Sequence, residues 1–220
     1  MRFHQHYKQT FSRAPVALFL VLLCIWRFDL PLANWVAESV DRYAPYIRTT
    51  AMSDLLFIMV VALTGLSWLA YFHLRRRNID DTHTIFFSVA GTVLPVSFGI
   101  KIILKWIFGR TEAHTWLLHP QLYGFHWFAG TEGFLGFPSG HMLVFTPLFL
   151  VLWDFFPRYR IYYGIVWLSL GIALIATEYH FLSDVVAGAY VGLAIYQSVS
   201  MALNRLRVDH ALLKPERLSV

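Results

Sequence analysis

The stretch that decides the fold is residues 137–153, FPSGHMLVFTPLFLVLW, in which a Pro-Ser-Gly turn delivers His141 to the start of an apolar run. Some forty residues later, His180 stands four positions before Asp184. Two apolar segments separate these motifs, and each is about long enough to cross a bilayer. A histidine held by a carboxylate, with a second histidine to donate a proton, indicates phosphoryl transfer at a membrane surface.

The composition indicates a membrane protein, because 57% of the 220 residues are hydrophobic and 14% are charged. Six apolar runs predict an all-α fold, a six-transmembrane-helix bundle that forms one domain over residues 1–220. The first run is followed by Arg27, Phe28 and Asp29 rather than by a small-residue cleavage site, so it is interpreted as a retained anchor. The six runs are residues 14–26, 55–74, 84–100, 141–153, 161–177 and 185–203.

The net charge of +5 follows the predicted topology. Twelve of the 18 lysines and arginines lie before the first run or after the second, fourth and sixth, which six crossings place on one side. The positive-inside rule then predicts cytoplasmic termini, with the opposite face periplasmic in a bacterial inner membrane. Because the charge follows the topology, no nucleic-acid partner is expected.

Two predicted outer loops and one predicted helix start have features of their own. Residues 28–54 mix apolar and charged side chains and predict a loop with a short interfacial helix. Residues 109–139 are rich in aromatic side chains and glycine, and a long loop in a compact protein is usually functional. Asp80 and Asp81 predict an N-cap for the third span.

The predicted topology brings three polar clusters to the outer face of the bundle. The clusters are Lys105 with Arg110 after the third run, Ser139, Gly140 and His141 before the fourth, and His180 with Asp184 before the sixth.

The sequence gives no reason to expect a disulfide, a metal or another cofactor. Cys24 is the single cysteine, and no acidic metal-ligand cluster is evident.

These residues resemble the signature of the type 2 phosphatidic acid phosphatase superfamily, which includes membrane lipid phosphatases and soluble vanadium haloperoxidases. The signature reads K-x6-R-P, then P-S-G-H, then S-R-x5-H-x3-D. Residues 138–141 match its second part in full, and His180 with Asp184 matches the end of its third part. The resemblance covers about residues 101–192, and the six-span layout fits the membrane branch of the family.

The chain departs from this signature at two positions. Leu174 stands where the third part has Arg, and Glu112 stands where the first part has Arg before Pro. Arg110 is the candidate replacement for the latter, at a shorter spacing from Lys105. Since an Arg fork on phosphate oxygens contributes strongly to charge stabilisation, a catalytically weakened lipid-phosphate-binding homologue is one alternative.

The resemblance implies a role for each matching residue. His180 would be the nucleophile that forms a phosphohistidine, and Asp184 would hold its ring. His141 would protonate the leaving lipid alcohol and then activate water. Glu178 either pairs with a cation of the site or faces water. The implied phosphate-binding residues are Lys105, Arg110, Ser139 and Gly140, with Glu178 and His126 as candidate supporting residues.

The function that these residues favour is a membrane lipid phosphatase, which hydrolyses a lipid phosphate monoester or pyrophosphate without a metal. Its expected partners are the lipid phosphate substrate and the bilayer. A lipid phosphotransferase is the second candidate, because it shares the first half-reaction. A six-helix transporter is disfavoured, since charged or Pro/Gly-broken helix pairs are missing at mid-membrane depth.

Overall fold

The computed structural model describes most of the chain, namely residues 14–40, 51–77, 79 and 82–213. Within these ranges the regular structure is helical, apart from an isolated β-bridge between Arg110 and Phe125, and the predicted all-α class is confirmed there. The helices are α1 (Ala14–Leu23), α2 (Asp29–Val40), α3 (Ala51–Arg76), α4 (Thr82–Phe108), α5 (Ala113–Leu118), α6 (Gly140–Phe155), α7 (Arg160–Ala176) and α8 (Leu182–Leu213).

The first helix continues past the point where the sequence predicts a loop. Cys24–Phe28 forms one π-helical turn, in which the Asp29 amide donates to the Cys24 carbonyl, and α2 then runs on to Val40. The π-helical turn lies just before Pro31, and such a wider turn can accommodate a proline, which lacks the N–H of a regular helix. The predicted outer loop is therefore wrong for residues 28–40.

Five of the described helices are long and apolar enough to cross a membrane, so the chain is an integral membrane protein. The apolar helix α6 has 16 residues, a length of about 24 Å against a hydrocarbon layer of about 30 Å. The six-span count therefore stays a prediction, and the predicted N-cap at residues 80–81 lies outside the described part. The five helical segments are Ala14–Ser39, Leu55–Arg76, Thr82–Phe108, Pro157–Ala176 and Leu182–Leu206.

Buried apolar side chains from α4, α6 and α8 form the core, and two glycines set how closely α8 approaches α6. A Cβ at Gly188 would lie 2.5 Å from the Ser139 carbonyl oxygen, and one at Gly192 would lie 2.9 Å from that of Leu143. Small residues four positions apart let helix backbones touch inside membranes. This contact brings the start of α8 beside the start of α6.

Replacing Gly188 with leucine is expected to lower the Tm of the detergent-purified protein by roughly 2–12 °C, the range for overpacking in a chain of this size. The new side chain would meet a backbone carbonyl, which cannot move aside as a side-chain tip can. Gly65→Leu is the matched control, because nothing lies within 4 Å of a Cβ there. Equal Tm values for the two variants would contradict the close helix contact.

Candidate active site

The two sequence motifs meet through a backbone hydrogen bond. The Ser139 amide donates to the Asp184 carbonyl at 3.0 Å, which fixes the start of α6 against the first turn of α8. Ser139 is fully buried and is the N-cap of α6, since its Oγ accepts the Met142 amide at 3.5 Å. Two helix N-termini therefore lie side by side, and this arrangement favours an anion.

The structure brings His180 and Asp184 together, with both side chains buried. His180 Nδ1 lies 3.6 Å from Asp184 Oδ2, slightly longer than a hydrogen bond. The same oxygen accepts the Phe181 amide at 2.9 Å. Burial lowers the pKa of His180 below its usual value and Lys105 acts in the same direction, while Asp184 opposes them. The imidazole is therefore neutral at neutral pH, as a nucleophile requires.

Arg110 is buried directly behind Asp184. Its Nη1 lies 2.5 Å from Asp184 Oδ1 and 2.5 Å from Ser183 Oγ, and its Nη2 lies 2.7 Å from Asp29 Oδ2. Burial by itself would lower the pKa of Arg110, but the two carboxylates outweigh burial and raise it, so the guanidinium stays charged. Because both terminal nitrogens contact protein oxygens, the geometry favours a supporting role over the phosphate contact that the sequence predicts.

Asp29 belongs to the site although the sequence does not predict it there. It is 1% exposed and begins α2, directly after the π-helical turn. Its Oδ1 accepts the Ser183 amide at 2.9 Å, and its Oδ2 accepts the Ser183 hydroxyl at 2.5 Å in addition to Arg110. The sequence shows Asp29 only as a polar residue that follows the first predicted span. The signal that could have found it is an ionisable residue adjoining an apolar run.

Two lysines of α4 lie close to the motif residues. Lys105 Nζ donates to the Leu135 carbonyl at 2.5 Å, and its charge acts on His180. Lys101, which the sequence does not predict, crosses over Gly140, where a Cβ would lie 2.8 Å from Lys101 Cε. The missing side chain at Gly140 therefore makes room for Lys101. Its signal in the sequence is the four-residue spacing from Lys105, which puts both on one helix face.

Tyr179 stands between the two motif histidines, with its ring centroid 6.2 Å from that of His141 and 6.1 Å from that of His180. His141 is 8% exposed at the start of α6. Glu178 is also buried, in a turn where its φ is +56°, and lines a small cavity together with Asp29 and His180. The turn between α7 and α8 thus gathers several candidate residues, of which the sequence does not predict Tyr179.

His126 lies in the segment between α4 and α6, which the sequence predicts as an outer loop. Its Nε2 is 2.9 Å from the Leu122 carbonyl oxygen, and its ring centroid is 4.5 Å from that of Phe134. Its backbone packs on Gly109, whose φ is +51° and where a Cβ would lie 1.8 Å from the His126 carbonyl oxygen. Only glycine fits there. These contacts give His126 a role in ordering the loop next to Arg110.

Leu174, at the position of the family's third-part Arg, belongs to an apolar cluster. It is 3% exposed and packs with Met142 and Val185. Its carbonyl accepts the amides of Tyr179 and His180, each at 3.1 Å. The residue therefore holds the His180 backbone, while its side chain fills the space between α6, α7 and α8.

No metal-ligand cluster accompanies these residues. Within the ranges that the structure describes, no three His, Cys, Asp or Glu side chains come together in a way that could hold a metal ion. Asp29 and Asp184 are bound to Arg110, so a protein cation balances part of their charge. Metal-independent chemistry stays a prediction.

Comparison with known proteins connects this site to a family. The model of the PAP2 superfamily matches residues 84–207, which contain Arg110 and both motifs but not Asp29. The lipid A 1-phosphatase of Rhizobium johnstonii is 27% identical over 184 residues, covering 80% of this chain and 74% of that protein. A transmembrane PAP2 type phosphatidylglycerolphosphate phosphatase from Bacillus subtilis, solved by crystallography, is 17% identical and covers 93% of this chain and 100% of its own, with a TM-score of 0.37.

Restoring the missing family residue by Leu174→Arg is expected to destabilise the protein rather than raise its activity. The change would bury a guanidinium in an apolar cluster without a described partner, a loss of roughly 3–5 kcal/mol. Leu174→Met, which conserves volume, should cost less than about 1.5 kcal/mol. Thermal unfolding in detergent measures both variants. A folded and faster Leu174→Arg protein would contradict the packing role.

Proposed function

The chain belongs to the PAP2 superfamily, and from this membership we propose that it is a membrane lipid phosphatase that works through a phosphohistidine on His180. The observation that carries the proposal is the hydrogen bond between the Ser139 amide and the Asp184 carbonyl, which joins the two motif segments at adjoining helix N-termini. The similarity to a lipid A 1-phosphatase supports a phosphate monoester on a lipid headgroup as the substrate.

In the first half-reaction, neutral His180 attacks phosphorus through Nε2, while its Nδ1 faces Asp184. A nitrogen–phosphorus bond forms and the bond between phosphorus and the lipid oxygen breaks. The leaving oxygen takes a proton from His141, which acts as the general acid. The phosphorylated ring carries a positive charge, and the Asp184 carboxylate stabilises it.

In the second half-reaction, His141 is neutral and takes a proton from the water that attacks phosphorus. The new oxygen–phosphorus bond replaces the nitrogen–phosphorus bond, and inorganic phosphate leaves. His180 returns to its neutral form, and His141 is again protonated for the next lipid. The two histidines thus exchange no proton with each other, and each has one task in each half-reaction.

The negative charge on the phosphate is balanced by groups at the start of α6 and by lysines of α4. Ser139 and the Gly140 amide act at the N-terminus of α6, and Lys105 acts from α4, with Lys101 added because it crosses over Gly140. Arg110 contributes indirectly, because its guanidinium holds the Asp184 carboxylate in place. This division differs from the sequence-based expectation, which gave Arg110 a direct phosphate contact.

The site lies on the outer face of a six-span bundle in a bacterial inner membrane, with both termini in the cytoplasm. The charge distribution along the sequence supports this orientation. The apolar helix α6 supplies the remaining crossing, and it begins at the site itself.

A second candidate is a lipid phosphotransferase, or a homologue that binds lipid phosphates and reacts slowly. Leu174 favours the slowly reacting homologue, because a buried apolar side chain replaces the family's Arg at this position. A transferase would form the same phosphohistidine but release little phosphate until an acceptor alcohol is added. Radiolabelled enzyme, chased with and without a second lipid, distinguishes these functions.

Phosphate release from lipid A, phosphatidylglycerol phosphate, phosphatidate and a polyprenyl pyrophosphate, measured with and without EDTA, tests the proposal. His180→Asn should lower turnover by at least about 10³-fold, because it removes the nucleophile. His141→Asn should lower it by roughly 10²–10⁴-fold, because it removes the proton donor.

The matched control is His119→Asn, since His119 is exposed and should leave turnover unchanged. Activity that EDTA abolishes, or that survives His180→Asn, would refute the phosphohistidine mechanism. A folded wild-type protein that releases no phosphate and acquires no label would refute the enzyme proposal as a whole.

A further inference from the structure

A carboxylate from outside the family-matched segment enters the site. Asp29 begins α2, the continuation of the first helix, whereas the family model begins at residue 84. It nevertheless accepts hydrogen bonds from Arg110 Nη2, the Ser183 amide and the Ser183 hydroxyl. Buried carboxylates are unfavourable unless they are paired, and each of these partners belongs to the site.

Arg110 links Asp29 to the histidine pair. One terminal nitrogen binds Asp29 and the other binds Asp184, whose second oxygen lies 3.6 Å from His180 Nδ1. If Asp29 were neutral, the guanidinium would be balanced by Asp184 alone and would draw charge away from the side that faces His180. Asp29 therefore controls how much negative charge Asp184 presents to the ring.

We propose that Asp29 is a positioning residue for the His180–Asp184 pair, so that the first helix completes the active site. The proposal rests on the proposed function, because it assigns His180 as the nucleophile. Asp29 and His180 line the same small cavity, so a charge lost at Asp29 is felt at the ring. Lys105 and Glu112 also act on His180, Glu178 lines the same cavity, and the Tyr179 ring lies near both His180 and His141. The groups around Asp29 are Cys24, Tyr123, Ser183, Arg110 and Asp184.

The test is the pH dependence of kcat/KM for Asp29→Asn, Arg110→Gln and the double variant. The wild-type trio of Asp29, Arg110 and Asp184 carries one net negative charge. Asp29→Asn makes it neutral, so protonated His180 is less stabilised and the acidic limb of the profile should move to lower pH. Arg110→Gln adds negative charge and should move it to higher pH. The double variant restores the wild-type charge, and its limb should return towards the wild-type position.

The size of the effect separates positioning from mere stability. Asp29→Asn should lower kcat by roughly 10–100-fold, as is typical for residues that orient a reacting group, with KM little changed. Asp154→Asn is the matched control, because Asp154 also binds a partly buried partner, the Tyr196 hydroxyl at 2.5 Å, but lies at the far end of α6. It should leave the pH profile unchanged.

The acidic limbs of the three variants are predicted to fall in a fixed order of pH. If one variant misfolds, the order of the other two relative to wild type can still be tested. Limbs that coincide in all folded variants, or a kcat of Asp29→Asn equal to wild type, would overturn the positioning role. Wild-type protein without activity would instead count against the proposed function.

Discussion

The arrangement of the site depends on a buried cation, Arg110, held between two carboxylates from opposite ends of the chain. Burying a guanidinium is unfavourable by several kcal/mol unless oxygen atoms replace its water. Asp29 and Asp184 supply them at 2.7 and 2.5 Å, from the first helix and from α8. Because Arg110 binds both carboxylates, the orientation of Asp184 towards His180 is coupled to the docking of the first helix against α8.

A steric constraint acts together with this electrostatic one. Ser139 can donate to the Asp184 carbonyl because α8 approaches α6 at Gly188 and Gly192 with almost no space between backbones. The hydrogen bond is short range and directional, so it requires that approach. Glycine packing thus sets the distance between the two motifs, while Arg110 sets the direction of the carboxylate.

Sequence patterns predict the parts of this structure that depend on local properties. Hydrophobic runs locate the five long helices, and the P-S-G-H turn locates the start of α6. Asp29 escapes prediction because its partners lie 81 and 154 residues away. The extension of the first helix escapes because the π-helical turn at Cys24–Phe28 leaves no periodic signal. Lys101 escapes because its significance comes from the space above Gly140.

The burial of Arg110 changes how charge would be stabilised in this member of the family. An Arg fork holds two phosphate oxygens in a fixed plane, whereas a lysine is a point charge that constrains no orientation. With Leu174 apolar and Arg110 facing carboxylates, orientation must come from fixed groups of the backbone. The Gly140 amide at the N-terminus of α6 is such a group, whereas the Phe181 and Ser183 amides at the start of α8 already bind Asp184 and Asp29. The rate of the proposed phosphoryl transfer should therefore depend more on how rigidly α6 and α8 meet than on any one cation.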